Sequence, residues 1–230
     1  KGYLITPESL EYGTGYYLVE VTAPHGYVLN SDPVYFDVTA DGAKDENGIT
    51  VVEVTKPNMA QKGIIKLYKT GEVFATVKET DGIYQPVYSV KGLPGAEYEI
   101  RVAEDIVTLD GTVRYTAGDV VDTIITDEDG YAESKALYLG KYEIKETKAP
   151  HGMVLSEEVH TIELVYVGQE VEITETSVEL WNDRQKITVM LDKMMEHDDI
   201  FGIGQNGEIT SVVFGLYAAE ELTAADGTLI

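Results

Sequence analysis

Cysteine is absent from the sequence. Its absence excludes disulfide bonds, thiolate metal sites and a cysteine nucleophile. If the protein is secreted, its stability must therefore come from another source. Long apolar runs are also absent: no stretch of about 18 apolar residues occurs, so no transmembrane helix is predicted.

Basic residues are scarce, with 17 Lys and Arg against 41 Asp and Glu and a formal net charge of −24. Binding to nucleic acid or to anionic lipid needs clustered Lys and Arg that neutralise phosphates. The composition therefore argues against both partners. We interpret the acidic residues as a solvated surface.

Motifs for enzymatic chemistry are missing as well. The four His residues include no H-x-x-x-H pair for zinc, and no G-x-S-x-G, P-loop or dinucleotide fingerprint occurs. The segment 127–130, Asp-Glu-Asp-Gly, lacks the rest of a calcium-binding loop, so we interpret it as a hairpin turn. Nothing singles out a catalytic pair of carboxylates. We therefore expect no metal, no other cofactor and no enzyme.

Strand signals dominate the remaining sequence. There are 16 Tyr residues, Val, Ile and Thr are common, and apolar and polar residues alternate between Asp-Gly and Asn-Gly turns. This pattern predicts an all-β fold built from β-sandwich domains. Strands are expected near 16–21, 34–38, 49–54, 64–69, 93–100, 142–146, 160–165, 170–180, 187–193 and 213–216, with weak helical patterns only at 190–196 and 218–225.

One local pattern occurs twice. In the segment 142–146, Tyr, Ile and Glu share one strand face because side chains alternate, and Ala-Pro-His-Gly at 149–152 then ends the strand. Residues 16–20 and the second Ala-Pro-His-Gly at 23–26 repeat this arrangement. Each copy therefore places a glutamate on the inward face just before a sharp turn.

A longer repeat contains this pattern. Matching Lys and Asn residues recur 124 residues apart, and matching Glu residues 126 apart. The pairs are Lys69 and Lys193, Asn58 and Asn182, and Glu20 and Glu146. We therefore divide the chain into the C-terminal half of a first domain (1–60), a complete domain (61–185) and the N-terminal half of a third (186–230), with short linkers at 61–63 and 183–186. We expect a segment of a longer tandem array.

The recurring polar residues form a candidate reactive site in the complete domain. Lys69, Glu146 and Asn182 each follow apolar residues of the same parity, so all three are expected to point into the core. Burial would be costly for plain ions and favours a neutral amine and a protonated carboxyl. A neutral amine is a nucleophile and a protonated carboxyl is a proton donor.

The motif Tyr-x-(Leu/Ile)-x-Glu-x-x-Ala-Pro-x-Gly resembles the E-box of Gram-positive pilins and of CnaB-like, SpaA-type domains. The stretch 95–100, Gly-Ala-Glu-Tyr-Glu-Ile, resembles another strand of the same family. This resemblance implies tandem prealbumin-like, Ig-like β-sandwich domains. It also implies that the protein is a Gram-positive surface protein.

The resemblance also implies a reaction. Domains of this family form a spontaneous isopeptide bond between a first-strand Lys and a last-strand Asn. By this likeness the Lys69 amine would attack the side-chain carbonyl of Asn182, while Glu146 polarises that carbonyl and shuttles protons, and ammonia leaves. Such a reaction turns over once, so it is not enzymatic. A correct fold in which the bond does not form stays an alternative.

The two half-domains carry incomplete sets. By the same resemblance, Glu20 would act as the proton shuttle of the first half-domain, with Asn58 as its crosslinking residue, and Lys193 would be the crosslinking lysine of the third. We expect that Lys193 of one molecule can meet Glu20 and Asn58 of the next, head to tail. A heterologous contact of this kind propagates as a filament. In a full array, neighbouring repeats would supply these partners.

The leading interpretation is a structural stalk or shaft segment of a cell-surface adhesin or pilin-like protein, extracellular and attached to the cell wall. Its partners would be neighbouring repeats, without nucleic acid or membrane contact in this segment. The alternative is an adhesin module that recognises a host protein or glycan. Fold alone does not decide between them.

Overall fold

The computed structural model describes residues 2, 4–6, 9–196, 200–202, 212–217, 219–221 and 229. Thirteen strands lie in this part of the chain, which contains no helix and thus none that could cross a membrane. The strands are β1 (Gly13–Leu18), β2 (Val34–Val38), β3 (Lys62–Thr80), β4 (Ile83–Gly92), β5 (Glu97–Val102), β6 (Ile106–Val107), β7 (Val113–Tyr115), β8 (Val120–Ile125), β9 (Tyr131–Glu133), β10 (Leu137–Tyr138), β11 (Gly140–Lys148), β12 (Val159–Leu164) and β13 (Ile173–Asn182).

Residues 61–185, predicted to be a complete domain and called the complete domain from here on, form a sandwich of two sheets, which confirms the predicted fold class. One sheet has the order β10-β3-β13, with β4 and β9 also paired to β3, and the other has the order β12-β11-β5-β8. A small β6–β7 hairpin stands beside them. Alternate apolar residues of both sheets form the core between them, including Ile65, Leu67, Tyr98, Ile100, Tyr142, Ile144 and Leu180.

Strand β3 organises the first sheet. It pairs with β13 in parallel, and with β4, β9 and β10 in antiparallel fashion. Its alternating burial ends after Val73, and its exposed continuation forms a long hairpin arm with β4. Asp81 and Gly82 close this hairpin with φ of 54° and 78°, a backbone conformation that Asp and Gly tolerate.

The predicted linker at 61–63 is not a free connection. β3 already begins at Lys62, and the Gln61 side chain is 1% exposed. The backbone of Lys62 and Gly63 is instead part of the sheet. The turn predicted at 127–130 is present, because the Asp127 carboxylate accepts hydrogen bonds from the Asp129 and Tyr131 amides.

In residues 1–60, predicted to be a half-domain and called the first half-domain from here on, β1 pairs with β2 in a two-stranded sheet. Tyr16 stacks on Phe36 across this pair with ring centroids 5.7 Å apart. The strand predicted at 49–54 is wrong: this segment makes only one isolated bridge, between Lys44 and Thr50. Only a short stretch of backbone lies beside it: the Val51 amide donates to the Ala43 carbonyl at 2.7 Å, and the Asp45 amide donates to the Ile49 carbonyl at 2.9 Å. A strand needs a longer run of paired backbone to satisfy its hydrogen bonds.

Three further predictions are also wrong. They are the strands at 187–193 and 213–216 and the helical turns at 190–196. The described residues of these segments have no regular structure, and apolar side chains such as Ile187, at 90% exposure, are not buried. Alternation alone cannot form a strand without a partner surface. Of the helical pattern at 218–225, only 219–221 is described, without a helix, and the rest lies outside the described residues.

Candidate functional site

Lys69 lies where β3 changes partners along one edge. β9 pairs with β3 up to Tyr68, and β4 pairs with it from Thr70 onward. The Lys69 amide donates to the Gly130 carbonyl at 2.7 Å, and the Leu93 amide donates to the Lys69 carbonyl at 2.9 Å. Both the amide and the carbonyl group of Lys69 are therefore held by hydrogen bonds along this edge.

Two glycines make this changeover possible. A Cβ atom on Gly130 would overlap the Lys69 carbonyl, and one on Gly92 would overlap the Asp129 carbonyl. Gly130 also has a φ of 77°, which a side chain would strain. The Asp-Gly turn therefore serves two purposes, since it closes a hairpin and lets the chain approach the lysine backbone.

Glu146 reaches the site from the opposite sheet. It follows Tyr142 and Ile144 on the inward face of β11, and its side chain is buried. Its Oε1 atom lies 3.5 Å from Lys69 Nζ and accepts a hydrogen bond from the Tyr98 hydroxyl at 3.1 Å. The carboxylate therefore touches the lysine with one of its two oxygens.

The second oxygen of Glu146 faces Asn182. Asn182 Nδ2 donates to Glu146 Oε2 at 2.9 Å and to the Val154 carbonyl at 2.6 Å. The Ser156 amide donates to the same Oε2 at 2.7 Å. Asn182 Oδ1 is buried and has no hydrogen-bond partner among the described residues. The glutamate therefore bridges the amine and the amide, and the amide carbonyl is left unpaired.

The parallel pairing of β3 with β13 sets the lysine beside the asparagine. Leu180 pairs with Lys69 and Asn182 pairs with Gly71, so the two polar side chains lie diagonally on one face. The two strands can approach each other closely at this end because Gly71 has no side chain. A Cβ atom at this position would lie 2.8 Å from the backbone carbonyl oxygen of Asn182.

Burial controls the electrostatics of the site. Lys69 is 1% exposed, and Glu146 and Asn182 are each 2% exposed. Loss of solvation lowers the pKa of the Lys69 amine, and the nearby Glu146 carboxylate only partly opposes this shift. Burial, with the Glu146 charge, raises the pKa of Tyr98, so its hydroxyl stays protonated and donates to the carboxylate.

The site is also connected to the surface. An open pocket with a volume of about 430 Å³ is lined by Lys69, Glu146 and Asn182, together with Tyr98 and the chain around Val154. Small molecules such as water or ammonia fit a space of this size. The arrangement combines a buried amine, a carboxylate and an amide with a route to solvent.

The first half-domain holds the same carboxylate–amide arrangement, with no lysine amine beside it among the described residues. Asn58 Nδ2 donates to Glu20 Oε2 at 2.6 Å and to the Val28 carbonyl at 3.0 Å, and the Asn30 amide donates to Glu20 Oε2 at 2.9 Å. These contacts match those made by Glu146 and Asn182 in the complete domain. Glu20 and Asn58 are, however, only half-buried.

Lys193 is not brought to either site. It is exposed, and no contact joins it to Glu20 or Asn58 within the part of the chain that the structure describes. The structure therefore assembles Lys69 with Glu146 and Asn182, and Glu20 with Asn58, and leaves Lys193 apart.

Tyr98 is the site residue that sequence reasoning missed. Its position was available, because it follows Gly95-Ala96 on the inward face two residues before Ile100. A buried tyrosine near an inward glutamate needs a hydrogen-bond acceptor, and this requirement could have indicated the pair. The backbone groups of Val154 and Ser156 gave no signal, because any residue could supply them.

No group of His, Asp and Glu residues among those described is arranged to hold a metal ion. His25 instead packs against Tyr166, with ring centroids 4.4 Å apart. The acidic turn at 127–130 uses its first carboxylate for its own amides.

The comparisons identify the class of protein. The family described as "SpaA: Prealbumin-like fold domain" matches residues 1–56 and 87–179, and the chain belongs to this family. The two matched segments contain the two Ala-Pro-His-Gly turns and their glutamates. No curated protein matches the chain.

Solved structures also resemble the chain. The TIE protein of Bacillus anthracis is 27% identical with a TM-score of 0.44, over 76% of this chain and 26% of that one. The minor pilin of Streptococcus agalactiae is 16% identical with a TM-score of 0.37, over 58% and 49%. BcpA, the major pilin subunit of Bacillus cereus, is 20% identical with a TM-score of 0.32, over 54% and 30%. The chain thus spans half or less of each.

Proposed function

We propose that the chain is a structural stalk or shaft segment of a Gram-positive cell-surface protein, stabilised by an isopeptide bond between Lys69 and Asn182. The observation that carries the proposal is Glu146, which contacts the lysine amine with one oxygen and the asparagine amide with the other. A surface location attached to the cell wall is part of this proposal, and membership of the SpaA family supports it.

The contacts suggest how the bond forms. Burial favours the neutral Lys69 amine, whose Nζ attacks Cγ of Asn182. As the new C–N bond forms, the Glu146 carboxylate takes up a proton from Nζ on Oε1, and the resulting carboxyl group passes a proton on to Nδ2. The old bond between Cγ and Nδ2 then breaks and ammonia leaves through the open pocket. An amine and a primary amide thus yield a secondary amide and one ammonia, with no other reactant.

The reaction is made possible by the proximity of the Lys69 amine to the Asn182 amide. An amide is normally inert toward amines, but fixed groups in a folded core react as if at very high concentration. Lys69 is fixed by its backbone contacts with Gly130 and Leu93, and Asn182 by the Val154 carbonyl. Each molecule reacts once, so the residues act as an internal crosslinking site and not as an enzyme.

The test is the intact mass of the denatured chain. We expect a mass lower by one ammonia than the sequence requires, and the full mass for Glu146→Ala. Glu143→Ala is the matched control, because Glu143 is exposed on the same strand. Glu146→Gln keeps the side-chain shape, so it separates loss of proton transfer from loss of folding. An unmodified mass for the native sequence would contradict the crosslink and leave the fold unaffected.

We further propose that the Glu20–Asn58 pair accepts a lysine from another molecule. Its contacts match those of Glu146 and Asn182, and no lysine amine contacts it within the described part of the chain. Lys193 occupies the repeat position of Lys69 and is exposed. Molecules joined in this way would form a head-to-tail filament.

This second crosslink predicts species of dimer mass and larger that survive denaturation at high protein concentration. Lys193→Ala and Asn58→Ala should each abolish them, while Lys186→Ala, at a neighbouring exposed lysine, should not. Loss of ammonia within each monomer should be the same in all three variants. Monomer masses alone at every concentration would exclude the intermolecular bond.

A further inference from the structure

The buried side chain of Gln61 lies outside the proposed crosslinking site, at the boundary between the first two repeats. Its Nε2 donates to the Gly168 carbonyl at 2.8 Å and to the Val171 carbonyl at 2.5 Å, and its Oε1 accepts from the Val167 amide at 3.1 Å. All polar atoms of this amide are therefore satisfied by one turn of the complete domain. We call residues 166–172 the docking loop.

The docking loop also contacts the first half-domain directly. Gln169 Oε1 accepts a hydrogen bond from the Ala23 amide at 2.8 Å, and its backbone carbonyl accepts one from the Leu29 amide at 2.9 Å. Tyr166 packs on His25. The Ala-Pro-His-Gly turn of one repeat is thus held against the docking loop of the next by hydrogen bonds and by a contact between two aromatic rings.

Backbone groups dominate these contacts. Gln61 binds two carbonyls and one amide of the loop, and Gln169 binds two amides of the preceding repeat. Recognition of this kind depends on loop shape more than on loop sequence. Any repeat with a loop of the same shape can therefore take the same place.

The complete domain carries a second copy of the surface that receives the loop. Gln185 lies 124 residues after Gln61, and its amide donates to the Gly152 carbonyl at 2.8 Å as the Gln61 amide donates to Gly26 at 2.9 Å. Yet the Gln185 side chain is exposed, whereas that of Gln61 is buried.

The amides of this second surface are also free to bind. Ala149 and Leu155 match Ala23 and Leu29, but their amides have no acceptor within the described ranges. Leu155 is 39% exposed, and Leu29 is half-buried under the docking loop.

We propose that the Ala149–Leu155 turn and Gln185 form a docking surface for the next repeat, which inserts a loop equivalent to residues 166–172. The same surface is already filled this way at the first boundary, which identifies the occupant. This inference rests on the proposed role as part of a repeat array. The docked loop would add noncovalent contacts that hold consecutive repeats in one fixed orientation.

The occupied joint can be tested in the chain itself by amide hydrogen exchange, measured by NMR. The Ala23 and Leu29 amides should exchange slowly, and their counterparts Ala149 and Leu155 should exchange freely. Gln61→Ala should speed exchange at Ala23, Leu29 and Val167 by roughly tenfold, because a buried set of hydrogen bonds loses its partner. Gln85→Ala is the control, at an exposed glutamine of the hairpin arm.

The vacant surface is tested by adding its occupant. In a chain where residues 1–185 are followed directly by a second copy of 62–185, Gln185 takes the place of Gln61. We expect the Ala149 and Leu155 amides to become protected roughly tenfold or more, and Gln185→Ala to reverse this change. Unchanged exchange at both amides would overturn the proposal. The crosslink is measured separately by intact mass, so the docking proposal and the crosslink proposal can each fail without the other.

Discussion

The Glu146–Asn182 pair and the Glu20–Asn58 pair have the same hydrogen bonds but different surroundings. Each glutamate accepts from an asparagine side chain and from a backbone amide ten positions further along the chain. Only the pair in the complete domain is fully buried and contacts a lysine. The comparison teaches that the carboxylate–amide pair forms even where the asparagine is not part of a strand, as at Asn58. In the complete domain the amine comes from β3, and packing of the two sheets buries the pair.

The largest effect should come from removing the amine. Lys69→Met makes the complete site resemble the incomplete one and prevents the crosslink. A crosslink around a loop of roughly 100 residues contributes about 4–5 kcal/mol in the chain-entropy model, so the free energy of unfolding should fall by about that amount. Denaturant unfolding measures it, with Lys78→Met on the exposed arm as the control. Equal midpoints for the two variants would contradict a covalent bond at this site.

A large effect is also expected where the backbone of Lys69 is held. Gly130→Ala should cost about 3 kcal/mol, because its Cβ would overlap the Lys69 carbonyl and its φ of 77° adds strain. Gly111→Ala has a similar φ of 79° but open space around its Cβ, so only about 1 kcal/mol should be lost. Thermal unfolding of both variants measures the difference. Equal losses would show that close approach at Gly130 is unimportant.

The third prediction concerns pH. Burial lowers the pKa of Lys69 below the ordinary lysine value of 10.5, so the neutral amine becomes abundant at lower pH than in a free lysine. Below the pKa of Lys69, the rate of ammonia loss after refolding should rise by up to about tenfold per pH unit. It should level off before pH 10.5. Mass spectra of samples quenched over time give this rate, and a rate that does not rise with pH would contradict attack by the neutral amine.

A smaller effect is expected from the hydroxyl that distinguishes the complete site. Tyr98→Phe removes the donor to Glu146 Oε1 and should lower the free energy of unfolding by about 1–2 kcal/mol. Tyr131→Phe is the matched control, because its hydroxyl contacts the exposed Glu133. The crosslink should still form in Tyr98→Phe, more slowly. If the two variants have equal stability and equal rates, the buried hydrogen bond contributes nothing.

The smallest effect should come from the half-buried pair. Asn58→Ala removes two hydrogen bonds near the surface and should destabilise the first half-domain by about 1 kcal/mol. Exchange of the Asn30 amide, which donates to Glu20, measures this local change. The ammonia loss of the complete domain should stay intact, whereas Asn182→Ala should abolish it. A loss of the crosslink in Asn58→Ala would show that the two sites are coupled.

The inward positions of the three main residues of the complete site could be predicted from the sequence. Strand periodicity places Lys69, Glu146 and Asn182 inward, and the repeat shows that these positions recur together. Their contacts could not be predicted in the same way. Which glutamate oxygen faces the lysine, and that Tyr98 joins them, depend on how the two sheets are packed.

The wrong predictions share one cause. Segments 49–54 and 187–193 alternate like β3, but the first forms only one isolated bridge and the second pairs with no backbone among the described residues. Gln61 was predicted to lie in a linker, and it is instead buried by contacts with residues more than 100 positions away. Local pattern specifies which residues can pair, and tertiary structure decides whether they do.

The parallel register of β3 and β13 has a mechanical consequence. The chain enters the domain at Lys62, which pairs with Ile173, and leaves it at Asn182, which pairs with Gly71. Entry and exit therefore lie at opposite ends of one shared ladder. Without a crosslink, a pull on the two ends of the domain would load all ten pairs of this ladder together in shear instead of separating them one by one. The proposed bond between Lys69 and Asn182 would instead carry that load, because it would join the same two strands covalently.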